Sequence, residues 1–301
     1  MSNKLKAVCF GEILFDVFLK HKKIGGAPLN VASRLKSFGI DVSIISAVGN
    51  DDNGKELLEF FKKLDIDTRS IQIKENYPTG VVNVRLNEKG NASYDITYPS
   101  AWDKIRLSID DTELVKNADF FVYGSLASRD ESTKKTLLQL LEVAKYKIFD
   151  VNLRVPNYTE KTLIELMKLA DFIKFNDDEL FEIAKCLNSN HKSLEQNMKF
   201  IAKETNTDSI CVTLGCHGAV LYHKGKFYNN CGFKVDVVDT VGSGDSFLAS
   251  LISKLFNEVE PQDSLNFACA MGAIVAQYEG ANPIIQQSEI DEFLNGFYES
   301  Y

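Results

Sequence analysis

The stretch Asp239-Thr240-Val241-Gly242-Ser243-Gly244-Asp245-Ser246-Phe247 has the residue types of an anion-handling turn. Phe247, Leu248, Leu251, Ile252, Leu255 and Phe256 follow it at helical spacing, so the glycine pair falls on the first turn of a buried helix. Glycines let backbone N–H groups approach an anion closely, and a helix N-terminus carries roughly half a positive charge. Such a nest suits a phosphoryl group whose equatorial oxygens gain charge during transfer. Asp245 stands in the same turn, where a carboxylate is a poor choice for plain phosphate binding. Two roles are open to it: a base that takes a proton from an attacking hydroxyl, or a cap on the helix.

A second glycine pair, Gly25-Gly26-Ala27-Pro28-Leu29-Asn30, precedes another helical pattern. It is either a site of close approach or a tight turn, and Asn30 can both donate to and accept from a polyol. Asp16 follows an apolar run and fits either a carboxylate over two sugar hydroxyls or a local turn. One near-motif is rejected. Gly49-Asn-Asp-Asp-Asn-Gly54-Lys55-Glu56 approaches the P-loop, but Glu56 offers no hydroxyl for magnesium. Asp51 and Asp52 suit instead an acidic helix N-terminus.

The elements that must position these residues alternate. Strands are expected at Ala7–Phe10, Ile13–Leu19, Val42–Val48, Phe120–Tyr123, Tyr146–Val151, Phe172–Phe175 and Ser209–Leu214, with a hairpin over Ala219–Tyr228. Helices are expected at Pro28–Phe38, Gly54–Leu64, Glu131–Lys145, Thr159–Leu169, Asp178–Cys186, Leu194–Glu204, Ser243–Asn257 and Pro261–Gln277. The pattern predicts an α/β fold, doubly wound around a mostly parallel sheet, with ligands beyond the carboxyl ends of the strands. Between Ser70 and Tyr98 the texture changes to alternation at Ile71/Ile73, Val82/Val84/Leu86 and Tyr94/Ile96/Tyr98, with a turn over 87–91. That reads as a small antiparallel meander, a β-sheet lid. The expected division is a core of 1–14, 27–68 and 105–301 and a lid of 15–26 and 69–104.

At 301 residues and 45% hydrophobic content the chain can bury a sizeable core. A formal charge of −8 argues against nucleic acid as a partner. Six cysteines without a C-x-x-C pair, and four histidines, show no zinc spacing, and the cysteines read as core residues. With no signal-like segment and no apolar run near 18 residues, no membrane partner and a cytoplasmic location are expected, and the sequons at Asn91 and Asn157 carry no meaning.

Together the motifs resemble the ribokinase-like, pfkB carbohydrate kinase family over essentially the whole chain. The resemblance rests on Gly25–Ala32, on Asp239–Asp245, on Lys174-Phe175-Asn176-Asp177-Asp178-Glu179 as the family's N-x-x-E, and on Val212–Gly218, all in the family's order. It implies that Asp245 is the catalytic base and that Gly242, Ser243 and Gly244 form the anion hole. It implies that Asn176 and Glu179 organise Mg2+ and the nucleotide phosphates through water, and that Thr213, Gly215 and Gly218 line the ATP site. Asp16, Gly25, Gly26 and Asn30 would hold the sugar, and Asp239 and Thr240, with carbonyls near Gly280, would resemble the family's K+ site. A homodimer through the lid is implied by the same analogy. Ser243 replaces the usual alanine, which would leave a hydroxyl to help, and Ser250 replaces Ala or Gly, which should affect packing only. Asp150-Val151-Asn152-Leu153-Arg154 resembles a D-x-N-x-R segment of bacterial fructokinases and 2-keto-3-deoxygluconate kinases, and the stretches from Tyr98 and Gly124 look most like fructokinases. Asn152, Arg154 and Tyr98 therefore join the expected substrate residues, with Arg85 and Arg129 as weaker partners for a sugar acid. The implied activity is ATP-dependent phosphorylation of a sugar, fructose first. 2-Keto-3-deoxygluconate kinase, ribokinase and a non-catalytic sugar-binding regulator are the alternatives.

Overall fold

The computed structural model describes residues 4–86 and 92–298, which fall into two compact units, one up to Lys145 and one from Tyr146. The turn expected over 87–91, with its sequon at Asn91, lies outside the described residues.

The first unit contains β1 (Lys6–Phe10), β2 (Leu14–Val17), β3 (Lys22–Gly25), α1 (Ala27–Ser37), β4 (Asp41–Gly49), α2 (Asp52–Lys63), β5 (Ile71–Lys74), β6 (Gly80–Leu86), β7 (Ala92–Ile96), α3 (Ile109–Asn117), β8 (Phe120–Gly124) and α4 (Glu131–Leu141). Strands β8, β1, β4 and β5 pair in parallel in that order, with Ala7 opposite both Phe120 and Val42, and Ser46 opposite Ile71. Cys9 and Phe10 are fully buried, as expected of a parallel strand covered on both faces. A smaller sheet runs β3-β2-β6-β7.

Two expectations change here. Ile71 and Ile73 belong to β5 beside β4, not to the small sheet, because α2 carries the chain back as a crossover to a parallel neighbour. The small sheet is mixed rather than a simple meander: β2 joins β6 in parallel, and only β2–β3 and β6–β7 are antiparallel. The near-P-loop is a helix cap. Asp51 accepts from the Gly54 amide at 2.8 Å and also holds the Thr79 amide and hydroxyl at 2.8 and 2.6 Å.

The second unit contains β9 (Lys147–Asp150), α5 (Glu160–Leu169), β10 (Phe172–Asn176), α6 (Asp177–Cys186), α7 (Leu194–Thr205), β11 (Ser209–Thr213), β12 (Ala219–His223), β13 (Lys226–Asn230), α8 (Ser243–Phe256), α9 (Pro261–Ala276) and α10 (Gln287–Tyr298). Strands β9, β10 and β11 are parallel, and β12 and β13 extend them antiparallel. Helix α8 is buried continuously from Ser246 to Ser253 and packs on α9, which is buried along most of its length. A fully buried leucine such as Leu248 or Leu251 contributes about 1.5–3 kcal/mol, so the start of α8 is held by its own body. Helices α3 and α10 and strand β3 were not among the expected elements. Of the cysteines, Cys9, Cys211 and Cys269 are buried as expected, but Cys216 and Cys231 are exposed. Among the described residues no helix is long and apolar enough to cross a membrane.

Candidate active site

In the second unit the glycine turn opens α8. Gly242 is the helix N-cap residue with φ +77°, the left-handed region that glycine tolerates best. A Cβ there would lie 2.5 Å from Cα of Ala281, so the close backbone approach also demands glycine. Gly244 is exposed, and its nearest neighbour for a Cβ would be Nζ of Lys174 at 3.7 Å. Asp245 sits at the third helical position and is half-buried. The cap position belongs to Gly242, so Asp245 is not the N-cap residue.

Ser243 takes a different part from the one expected. Its amide donates to the Thr240 carbonyl at 3.2 Å, and its hydroxyl donates to the Gly272 carbonyl at 2.8 Å. Both donors face protein acceptors, so Ser243 anchors the turn onto α9, and the amides of Gly242 and Gly244 are left as the candidates for an anion. Ser250 behaves as expected, its hydroxyl bonding the Ser246 carbonyl inside the helix at 2.6 Å. Asp239 accepts from the amides of Val241 at 3.1 Å and Gly280 at 3.0 Å, which brings the turn and the Gly280 loop together.

Asn176 and Glu179 form a reciprocal cap on α6. Asn176 Oδ1 accepts from the Glu179 amide at 2.8 Å, and Glu179 Oε2 accepts from the Asn176 amide at 2.9 Å. Glu179 Oε1 takes the Leu153 amide at 2.8 Å, which ties α6 to the segment after β9. Both carboxylate oxygens are therefore engaged. Among the described residues no group of three or more His, Cys, Asp or Glu could hold a metal ion. The donor set does not suit a dedicated metal cage; it suits water-mediated contact with an ion carried on phosphates. Burial pushes the Glu179 carboxyl up, against the pull of Lys174.

Sequence reasoning missed the residue beneath this turn. Lys174 is buried on β10 and bonds Asp150 Oδ1 on the neighbouring strand at 2.9 Å. Burial alone would lower its pKa, but the carboxylates of Asp150, Glu179 and Asp245 outweigh it and hold the amine above the ordinary lysine range. A lone lysine inside Phe172-Ile173-Lys174-Phe175 was the available signal. Asn152, in the left-handed region at φ +39°, and the exposed Arg154 follow β9; the Arg154 guanidinium bonds the Leu153 carbonyl. Thr213 ends β11, its hydroxyl donating to the Phe175 carbonyl at 3.3 Å. Gly215 and Gly218 follow, both at positive φ, in a loop packed against Asn230 and Gly232.

The first unit holds the other expected residues. On the β2–β3 hairpin, Gly25 lies against the Asp16 carboxylate, and any side chain at Gly25 would strike it. Gly26, at φ +111°, caps α1, and the Asn30 side chain is buried one turn further on. Asp16, Gly25, Gly26 and Asn30 thus share one corner of this unit. Tyr98 is set apart in its bonding: its hydroxyl donates to Asp130 at 2.9 Å. Arg129 is engaged rather than available. It binds Asp103 through two nitrogens at 2.7 and 2.8 Å and stacks over Trp102, with its side chain 3% exposed. The side chain of Arg85 lies outside the described residues.

Comparison with known proteins supports the resemblance. The family model described as "pfkB family carbohydrate kinase" matches residues 4–287. The Arabidopsis thaliana protein named "Probable fructokinase-2" is 30% identical over 314 residues, covering 94% of this chain and 93% of that protein. The structure of a fructokinase with bound ATP from Xylella fastidiosa superposes with a TM-score of 0.87 at 21% identity, covering 97% of this chain and 99% of the other. A fructokinase double mutant from Vibrio cholerae O395, in a fructose, ADP and potassium ion bound form, gives 0.82 at 22% identity, covering 96% and 98%. The architecture is the ribokinase-like α/β fold, a mostly parallel sheet flanked by helices with a small separate sheet. With its glycine turn, its acidic first helical turn and a family match over nearly its full length, the chain belongs to the pfkB family of carbohydrate kinases.

Proposed function

We propose that this sugar kinase transfers the γ-phosphoryl group of MgATP to a primary hydroxyl of fructose, giving fructose 6-phosphate. The observation that carries the reading is Asp245 in the first turn of α8, one residue beyond the exposed Gly244. Asp245 accepts the proton of the sugar hydroxyl as that oxygen attacks phosphorus. The amides of Gly242 and Gly244, at the positive end of the helix, stabilise charge on the transferred group. Asn176 and Glu179 meet the hydrated magnesium of the nucleotide complex through water, and the loop from Thr213 to Gly218 lines the ATP site. Asp16 and Asn30 bind neutral vicinal hydroxyls beside the close-packed Gly25–Gly26 turn.

Three observations favour fructose. Relatives of 30% identity are named fructokinases. A carboxylate and an amide suit a neutral polyol better than a sugar acid. Arg129, one candidate partner for a sugar acid, is already bound to Asp103. A potassium ion near Asp239, Thr240 and Gly280 is part of the proposal, in line with the potassium in the Vibrio cholerae structure.

The test is coupled ATP consumption over fructose, ribose, glucose, tagatose and 2-keto-3-deoxygluconate. Fructose should give the highest kcat/KM. If ribose or 2-keto-3-deoxygluconate exceeds it by about tenfold or more, about 1.4 kcal/mol, the choice of fructose is wrong while the kinase reading stands. Asp245→Asn should lower turnover by about 10²–10⁴-fold with sugar binding kept. A folded Asp245→Asn protein of full activity would refute the base assignment. A wild-type protein that binds sugar but consumes no ATP would mark it as a non-catalytic regulator.

A further inference from the structure

The second unit holds a buried ion pair that the proposed chemistry does not use. Lys174 and Asp150 face each other in register on β10 and β9, with side chains 8% and 5% exposed. Asp150 Oδ1 accepts from the ammonium at 2.9 Å, and Asp150 Oδ2 is buried without a hydrogen-bond partner. The ammonium lies under the start of α8, 3.7 Å from where a Cβ on Gly244 would stand. Three carboxylates act on it: those of Asp150, Glu179 and Asp245.

A buried ion pair is weak evidence for stability, since desolvation offsets much of the attraction. Its placement is the informative part. The ammonium is the end of the pair that lies beneath the turn, 3.7 Å from a Cβ on Gly244, so the turn meets a positive charge from below. Opposite charges attract strongly in a poorly screened site, so a fixed cation there favours an anion on the turn above it. Lys174 is a buried cation in that place, its side chain 8% exposed.

We propose that Lys174 is a positioning residue for phosphoryl transfer: anchored by Asp150, its ammonium holds a positive charge beneath the Gly242–Asp245 turn and so helps the nucleotide phosphates settle there. This rests on the kinase reading above. It predicts a burden on nucleotide binding and turnover rather than on sugar binding.

The experiment separates that role from a merely structural one. Lys174→Met leaves Asp150 buried and unpaired, and should lower the melting temperature as well as activity. The double variant Asp150→Asn with Lys174→Met removes both charges and should recover most of the melting temperature. In that double variant kcat should stay down by about 10²-fold, the scale of a lost charge stabiliser, and the Kd for ADP by calorimetry should rise about tenfold. The KM for sugar should move by less than about threefold, because uniform sugar contacts are untouched. Lys174→Arg keeps the charge and should retain ADP affinity within about threefold of wild type. A double variant with wild-type kcat and ADP affinity overturns the proposal and leaves a structural ion pair. So does a folded Lys174→Arg protein that binds ADP as weakly as Lys174→Met, which also decides the matter if the double variant fails to fold. Failure of the kinase reading shows separately, as a wild-type protein that consumes no ATP with any sugar of the panel.

Discussion

Substituting the two glycines of the α8 turn one at a time should give opposite results. Gly242 is at φ +77°, where an alanine costs about 1–2 kcal/mol in backbone energy. Its Cβ would also stand 2.5 Å from both Cα and Cβ of Ala281 and 2.8 Å from the Ala281 carbonyl oxygen. Relieving that overlap requires backbone movement, an overpacking cost of about 1–3 kcal/mol. Gly242→Ala should therefore lose roughly 2–5 kcal/mol of stability. At about 2–4 °C per kcal/mol for a body of this size, the melting temperature should fall by roughly 4–20 °C. Gly244 has no positive φ, and the nearest atom to its Cβ would be at ordinary contact distance. As a helical residue it gains up to about 1 kcal/mol on becoming alanine, so Gly244→Ala should melt at or slightly above wild type. Yet a methyl there stands 3.7 Å from the Lys174 ammonium and, on the proposed reading, crowds the transferred group. Misplacing that group by a fraction of an ångström should lower kcat/KM at least about tenfold, given that 1 Å can cost about 10². The assay pairs thermal denaturation with coupled ATP turnover on both variants. A Gly244→Ala protein with full kcat/KM would refute the anion-hole assignment. A Gly242→Ala protein with wild-type melting would refute the steric argument.

Other outcomes follow from the same structure. Glu179→Gln keeps one acceptor for two amides, those of Leu153 and Asn176, so it should cost about 1–3 kcal/mol and raise the magnesium concentration for half-maximal rate; a variant unchanged in both contradicts the assignment. Asp51→Ala removes the α2 cap and the Thr79 tie, and should cost at least about 1 kcal/mol in chemical denaturation with kcat unchanged. Burial works against the Asp51 carboxylate, but the Thr79 hydroxyl and amide, the Gly54 amide and Lys55 hold its pKa below 3.8; its contribution is present above that pH and is lost as pH falls through the folded value. A denaturation series from pH 5 down to 2, as roughly set by that shift, should show a steeper loss for wild type than for Asp51→Ala. Burial, with Lys224 adding to it, holds the His223 imidazole below its ordinary 6.5, so the unfolded chain takes the proton first and stability should fall as pH drops below 6.5. His223→Gln should flatten that limb, and an identical slope in the variant would contradict the sign.

Much of the candidate site was legible in the sequence because its signals are local. A glycine turn followed by an apolar helical period needs only neighbouring residues to be recognised, and α8 begins at Ser243 as expected. The alternation that marked Ile71 and Ile73 as strand is equally local. It carries no information about the partner, and pairing with β4 places β5 outside the small sheet. Periodicity likewise failed for α3, whose N-cap Ser108 precedes a largely polar face.

What the tertiary structure decided is who engages each polar group. The sequence shows Ser243 as a residue of the anion turn, but the Gly272 carbonyl, 29 residues away, takes its hydroxyl. Arg129 reads as a free cation until Asp103, 26 residues earlier, binds it. Lys174 reads as one residue of a strand until Asp150, 24 residues back, makes it half of a buried pair beneath α8. Glu179 and Asn176 read as donors for an ion, and the fold shows them closing a helix start on each other. The physical reason is the same throughout. A buried polar group must find a partner or bear a desolvation cost of several kcal/mol or less, depending on its charge, and folding brings that partner from a distant part of the chain.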